Sequence, residues 1–116
     1  MEIPIDCGVG ELKRYLSQAE NDLSIATPKL MQYRIDENNA KAEYNYELAA
    51  AKVKYQNEKT ATLCNCKAAV EPTVREKQLM WKAAEALLIM GDERVSRAQS
   101  NRDTLKCLIK SENISY

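Results

Sequence analysis

The sequence predicts an all-α protein, a long antiparallel helical hairpin of coiled-coil type with a shorter N-terminal helix packed on its open end. Three observations support this fold class. The 116 residues include only three Gly and three Pro, which leaves little chain for the turns of a β-sandwich or barrel. Apolar residues recur at alternating intervals of three and four, and a seven-residue repeat runs through the last third of the chain. The chain is therefore interpreted as a single helical domain.

The chain is predicted to begin with an irregular arm, residues 1–10, followed by helix 1 over residues 11–26. The arm contains Pro4 and two glycines. Helix 1 carries one apolar stripe: Leu12, Leu16, Ala19, Leu23 and Ala26. Thr27-Pro28 resembles an N-cap with Pro at the first helical position, so a break is predicted there. One helix kinked at Pro28 is the alternative, because the apolar spacing continues through the proline.

Helix 2 is predicted for residues 28–59, and residues 60–71 are predicted to connect it to helix 3. The helix 2 stripe consists of Leu30, Tyr33, Ala40, Tyr44, Leu48, Ala51 and Tyr55. Residues 60–71 lose this spacing, and they are expected to hold one short helix over residues 63–70.

Helix 3 is predicted for residues 72–112 and has the most regular pattern in the chain. The repeat consists of Val74, Trp81, Leu88, Val95, Arg102 and Ile109, with Ala84, Gly91, Ala98 and Leu105 at the companion position. A repeat of this length indicates a helix of about 40 residues paired with another helix. Gly91-Asp92 could instead end one helix and start another. The seven-residue repeat continues through Gly91 without a shift, which favours a continuous helix. Antiparallel pairing of helix 3 with helix 2 is expected to place Tyr44 near Met90.

Residues 79–90 are apolar on almost every side of the predicted helix, interrupted only by Lys82 and Glu85. A helix of this kind is normally buried on every side. One face lies away from the seven-residue repeat, and its members are Leu79, Ala83, Ala86 and Met90. We expect this face to be covered by the short helix of the connection, by a different docking of helix 1, or by a partner. The partner would be a second copy, giving a homodimer, or a different protein.

Composition argues against several classes of function. The chain contains no His, the usual general base and the commonest metal ligand, so no enzyme activity and no cofactor are predicted. Seventeen basic and seventeen acidic residues give no net charge, which argues against both phosphate-dominated DNA binding and DNA mimicry. No apolar run approaches the length of a membrane span, and no signal peptide is recognised. A cytoplasmic protein without a membrane partner is predicted.

The four cysteines are expected to be reduced, and no metal site is predicted. Cys64 and Cys66 form the only dense cysteine motif, but a tetrahedral site needs about four ligands. Cys7 and Cys107 would have to join from the arm and from the far end of helix 3. Half-buried thiols at helix contacts are the favoured interpretation.

The end of helix 3 is locally basic, whereas residues 1–48 are net acidic. Salt bridges between these regions are the default expectation, and Arg102 is expected to pair with a carboxylate such as Glu20 or Asp22. The alternative is a phosphate-binding strip formed by Arg94, Arg97, Lys106 and Lys110. Tyr46 lies off the helix 2 stripe, and it is a candidate anchor for a partner.

Three segments, KAEYNYELAAAKVKY, VEPTVREKQLMWKAAEAL and SNRDTLKCLIKSE, occur in this order over residues 40–112. They resemble small helical-hairpin proteins that tailed phages and prophages encode near replication and recombination genes. The chain departs from that group at Cys64-Asn65-Cys66, where a Gly-Lys-Thr-like turn is more usual. The resemblance implies no catalytic residue. It implies a setting in which a small protein acts by occupying a surface of a larger machine.

The sequence therefore predicts a non-enzymatic, phage-type helical interaction module. It would bind or modulate a larger nucleic-acid-processing protein through the apolar face of helix 3, with Tyr46 as a further contact. One alternative is an anti-defence inhibitor, for example an anti-CRISPR protein, that blocks the surface of a host nuclease. Another is a nucleic-acid-binding hairpin that uses the basic end of helix 3.

Overall fold

The computed structural model describes residues 8–114, except for the side chains of residues 113 and 114. Three helices account for almost all of this range: α1 (Val9–Lys54), α2 (Ala61–Ala69) and α3 (Pro72–Ile114). No strand occurs among the described residues. The predicted all-α class is confirmed. Most of the predicted irregular arm, residues 1–7, lies outside the described residues.

Helix α1 runs through Pro28 without interruption, so the predicted break between helix 1 and helix 2 is wrong. No separate short N-terminal helix exists within the described chain. Ala26 and Leu30, one turn apart on either side of the proline, are 3% and 6% exposed, whereas Pro28 itself is exposed. A proline inside a helix costs about 3 kcal/mol. The burial of apolar residues on both sides outweighs this cost and the local capping signal.

The connection between the long helices is built around α2. Thr60 caps this helix, because its Oγ1 accepts a hydrogen bond from the backbone N–H of Leu63 at 3.0 Å. Helix α1 ends at Lys54, five residues before the end predicted for helix 2. This earlier end shifts the antiparallel register, so Tyr44 stacks on Trp81 instead of lying near Met90. The predicted placement of Tyr44 was therefore wrong.

Helix α3 continues through Gly91, which is buried. No glycine among the described residues has a positive φ, so a helix-ending glycine of the αL type does not occur there.

The chain, predicted as one domain, divides into two compact units that each contain parts of α1 and α3. Unit 1 combines α1 up to Met31 with α3 from Met90 onward, and unit 2 is Gln32–Ile89. In unit 1, Leu12, Ala19 and Leu105 form a buried cluster. The half-buried side chains packed against that cluster are Tyr15, Leu16 and Ile109.

In unit 2, the buried cluster consists of Ala51 from α1, Ala68 from α2 and Val74 from α3. Tyr44, Leu48 and Tyr55 pack against it. Glu37 contacts Trp81, and Glu43 contacts Lys77 further along α1. Residue numbers rise along α1 as they fall along α3, so the two helices run antiparallel in this unit.

Candidate functional site

The predicted partner-binding residues of α3 lie on the side of the helix that faces away from α1. Trp81 packs toward α1, and at 100° per residue Leu79, Ala83, Ala86 and Met90 lie about 140–200° around the helix from it. Met80 and Leu87 flank them. We call these six residues the outer α3 face. Leu79 is 71% exposed and Met90 is 64% exposed, and the two alanines are also exposed.

No part of the described chain covers the outer α3 face. Helix α2 directs Ala68 into the cluster with Ala51 and Val74, and Leu79 remains largely exposed. The expectation that the short helix or a different docking of helix 1 would bury this face is therefore wrong. A contiguous apolar surface on a long helix is a feature of protein-binding sites.

Charge is nearly absent from this stretch of α3. Lys82 and Glu85 are its only ionisable residues, and their Nζ and Oε1 atoms lie 3.5 Å apart. Lys82 lies at one side of the helix, and Glu85 lies nearer to the side that faces α1, so neither is on the outer α3 face. The surface offered to a partner is therefore apolar across its width.

Trp81 fixes how α3 is turned in unit 2. Its ring stacks on Tyr44 with centroids 5.3 Å apart, and its Nε1 donates a hydrogen bond to Glu37 at 2.9 Å. The Lys82 and Lys41 ammonium groups lie 4.5 Å and 5.8 Å from the ring centroid. The contacts with Tyr44, Glu37 and Lys41 hold the indole against α1, and the outer α3 face consequently points away from α1.

Tyr46 does not belong to the outer α3 face. It is 72% exposed and lines a groove of about 390 Å³ with Ala42, Glu43, Glu47 and Lys77. Lys77 donates a hydrogen bond to Glu43 at 3.1 Å, and this contact raises the pKa of Lys77. Leu79 lies about 200° around α3 from Lys77. The structure therefore separates the predicted partner-binding residues into two surfaces.

Tyr46 belongs to a second apolar stripe on α1, which the sequence analysis did not recognise. Its exposed members are Ile35, Ala42, Tyr46, Ala49 and Val53. We call these five residues the outer α1 stripe. They follow one another at intervals of seven, four, three and four, and they lie opposite the buried stripe of α1. Counting the same intervals on both sides of the helix would have found them.

The four basic residues predicted to bind phosphate do not form one strip. Arg94 and Arg97 line a groove of about 190 Å³ that also contains Asp22. Lys106 lines a separate groove of about 520 Å³ that also contains Glu20, and Lys110 lines neither of these grooves. Each groove includes a carboxylate from α1, so its local field is mixed.

Arg102 is half-buried and contacts neither carboxylate predicted for it. Its Nε lies 3.1 Å from Oδ1 of Asp103, its neighbour in the chain. It lines the same groove as Glu20, but the ion pair is local.

The three cysteines that the structure describes differ in solvent exposure. Cys64 is half-buried, and its Sγ donates to the Lys52 carbonyl at 3.4 Å. Cys66 and Cys107 are exposed, and Cys7 lies outside the described residues. Within residues 8–114, no three His, Cys, Asp or Glu side chains converge in a way that could hold a metal ion.

A polar cluster that the sequence analysis did not predict joins the end of α1 to the start of α3. The Glu71 carboxylate accepts hydrogen bonds from the Tyr55 hydroxyl and from Lys54 Nζ, the latter at 3.0 Å. These contacts, the Tyr55 bond first, lower the pKa of Glu71. Lys67 of α2 lies 2.6 Å from Glu58. The connection is thus held by charge and hydrogen bonding as well as by Ala68.

No family model, no curated protein and no solved structure matches the chain. In the range that the structure describes, none of the helices combines the length and the apolar character needed to span a bilayer.

Proposed function

We propose that the chain is a non-enzymatic, phage-type helical interaction module that binds another protein through the outer α3 face. The observation that carries the proposal is the exposure of Leu79 and Met90, 71% and 64%, on a helix that Trp81 holds in a fixed orientation. An apolar surface of this kind binds by burying area from water.

The magnitudes indicate what kind of partner the face needs. Fully burying a large apolar side chain contributes about 1.5–3 kcal/mol. Leu79, Met80, Leu87 and Met90 are each about half to two-thirds exposed, so covering them would contribute roughly 5 kcal/mol. A micromolar complex requires about 8 kcal/mol after association costs have been met. The partner must therefore bring an apolar surface of its own, as a protein does.

Charge distribution favours a protein partner over a nucleic acid. The grooves at Arg94, Arg97 and Lys106 each include a carboxylate, and the whole chain has no net charge. Binding through phosphates would be expected to fall steeply with salt concentration. We expect no shift of single-stranded or double-stranded oligonucleotides by the purified chain, even at low salt.

We further propose that the partner is a larger nucleic-acid-processing protein. The proposal rests on the resemblance to phage helical-hairpin proteins and on the apolar mode of binding. An accessory factor and an anti-defence inhibitor would use the same face, and the class of the captured partner separates them. A replication or recombination protein indicates an accessory factor, and a host nuclease indicates an inhibitor.

The decisive experiment compares capture from a bacterial host lysate by the wild-type chain, by Leu79→Glu and by Ala50→Glu. Ala50 is exposed on α1, outside both outer faces, so it provides a matched control for an added carboxylate. We expect the partner to bind wild type and Ala50→Glu and to be lost with Leu79→Glu, while the circular dichroism of all three stays helical. Equal capture by Leu79→Glu would contradict the proposal.

A further inference from the structure

Four residues of the outer α3 face read the same in both directions along the helix. Its central residues follow the order large, small, small, large, at intervals of four, three and four: Leu79, Ala83, Ala86 and Met90. When a second copy of α3 lies antiparallel, Leu79 faces Met90 of the second copy, and Ala83 faces Ala86. The small pair at the centre allows two helix axes to approach closely, and the large residues close the ends.

The charges beyond this face follow the same symmetry. Arg75 and Glu76 precede it by one turn, Glu93 and Arg94 follow it by one turn, and all four are exposed. Arg75 and Glu93 lie at one edge of the face, and Glu76 and Arg94 lie at the other edge. An antiparallel copy brings Arg75 to Glu93 and Glu76 to Arg94, so each of these four charges meets its opposite.

A parallel pair would not match in this way. In parallel helices, one edge of the first helix meets the other edge of the second helix. Arg75 and Lys82 would then lie beside the apolar edge formed by Met80 and Leu87. The antiparallel arrangement instead pairs Met80 with Leu87 of the second copy.

We infer that the outer α3 face binds the same face of a second copy, with the two α3 helices antiparallel about a two-fold axis at the level of Ala84 and Glu85. This inference rests on the proposed function for its binding face, where a second copy would compete with the foreign partner. A two-fold contact requires a surface complementary to itself. Both the side-chain sizes and the order of charges on α3 meet that requirement. Binding to an unrelated partner would not require the face to be complementary to itself.

The first test measures mass in solution by light scattering over a range of protein concentrations. We expect the wild type and Ala50→Glu to be dimers at tens of micromolar. Ala83→Glu places a carboxylate from each copy next to the axis, and we expect it to weaken association by about 100-fold or more. A wild type that is monomeric throughout, with helical circular dichroism, would overturn the inference.

The second test addresses direction and register by charge reversal. Glu93→Arg replaces the attraction between Arg75 and Glu93 at each end of the interface by the repulsion of two opposed arginines, and we expect association to weaken about tenfold. Adding Arg75→Glu to this variant restores opposite charges, and we expect the dissociation constant to return to within about threefold of wild type. A double variant weaker than Glu93→Arg alone would overturn the antiparallel register.

The outcomes distinguish this inference from the proposed function. A monomeric wild type whose foreign partner is still lost with Leu79→Glu would leave the proposed function standing and overturn the dimer. A dimer that Ala83→Glu dissociates, in a chain whose capture of foreign proteins does not respond to Leu79→Glu, would support the dimer and overturn the proposed binding of a foreign protein at this face.

Discussion

The two units both pair α1 with α3, but their interfaces differ in chemistry. In unit 1, Leu12, Ala19 and Leu105 are at most 3% exposed. In unit 2, Lys77, Trp81 and the other α3 positions facing α1, apart from Val74, are half-buried. Unit 1 is stabilised by closely packed aliphatic side chains, whereas unit 2 adds stacked rings, hydrogen bonds and ion pairs to its buried cluster of Ala51, Ala68 and Val74.

The difference shows that a heptad repeat sets which side of a helix is paired and leaves open how the pair is held. Gly91 and Ala98 occur at repeat positions in unit 1, and both are buried. Trp81 occupies the equivalent side in unit 2, and it needs Tyr44 and Glu37 as partners. A large aromatic residue with a polar group, such as Trp81, fixes the orientation of its helix, whereas small residues such as Gly91 and Ala98 allow the two helices to pack closely.

The largest expected effect is at the aliphatic core of unit 1. Leu105→Ala removes a fully buried side chain, and we expect the free energy of unfolding to fall by about 2–5 kcal/mol. Leu108→Ala on the same helix removes a side chain that is 39% exposed, so it is the matched control and should cost less than about 1 kcal/mol. Urea denaturation followed by circular dichroism measures both. Equal losses would show that unit 1 is not held by burial.

An intermediate effect is expected at Trp81 in unit 2. Trp81→Phe keeps a ring for Tyr44 but removes the hydrogen bond to Glu37. We expect a loss of about 1–2 kcal/mol in urea denaturation. Glu37→Gln keeps an oxygen acceptor, and it should cost less than about 0.5 kcal/mol. If Trp81→Phe had no effect, the hydrogen bond and the larger ring would not contribute to holding unit 2.

The smallest effect is expected at Glu71 and depends on pH. Its pKa is lowered in the folded chain by Tyr55 and then by Lys54, so its contribution to stability is present above the unfolded value of about 4.3. The contribution is lost as pH falls through the lower, folded pKa. We expect the melting temperature of the wild type to be higher than that of Glu71→Gln at pH 7, and the two melting temperatures to converge as the pH falls toward 3.

Tyr55→Phe tests the cause of this pH dependence. It removes the largest contribution to the lowered pKa of Glu71 and leaves Lys54 in place. In the Tyr55→Phe background, the change in melting temperature that Glu71→Gln causes should therefore depend less on pH, but the dependence should not vanish. A difference in melting temperature that is the same at pH 3 and pH 7 would show that the charge of Glu71 does not stabilise unit 2.

Spacing alone was sufficient to predict the helical class and the sides of α1 and α3 that pair. Leu12, Ala19 and Leu105 were all placed on apolar stripes, and all are buried. The break predicted at Pro28 was wrong and the alternative of one helix was nearer to the structure, because the burial of Ala26 and Leu30 favours continuity over the local capping signal. The register was also missed, since it depends on where α1 ends.

The candidate site was only partly accessible from the sequence. The apolar surface around Leu79 can be recognised in the sequence, because residues 79–90 lack the polar residues that normally occupy the solvent-exposed side of a helix. Whether α2 covers it depends on tertiary structure, as does the meeting of Glu71 with Tyr55. The outer α1 stripe was missed because Tyr46 was considered singly rather than with Ile35 and Val53.

Trp81 is the only tryptophan in the chain, and it lies within unit 2. Its fluorescence is therefore an intrinsic signal for that unit alone, whereas the far-ultraviolet signal of the helices comes from both units. If the aliphatic and the aromatic interfaces open at different denaturant concentrations, the two optical signals will separate, and their order will identify which interface fails first.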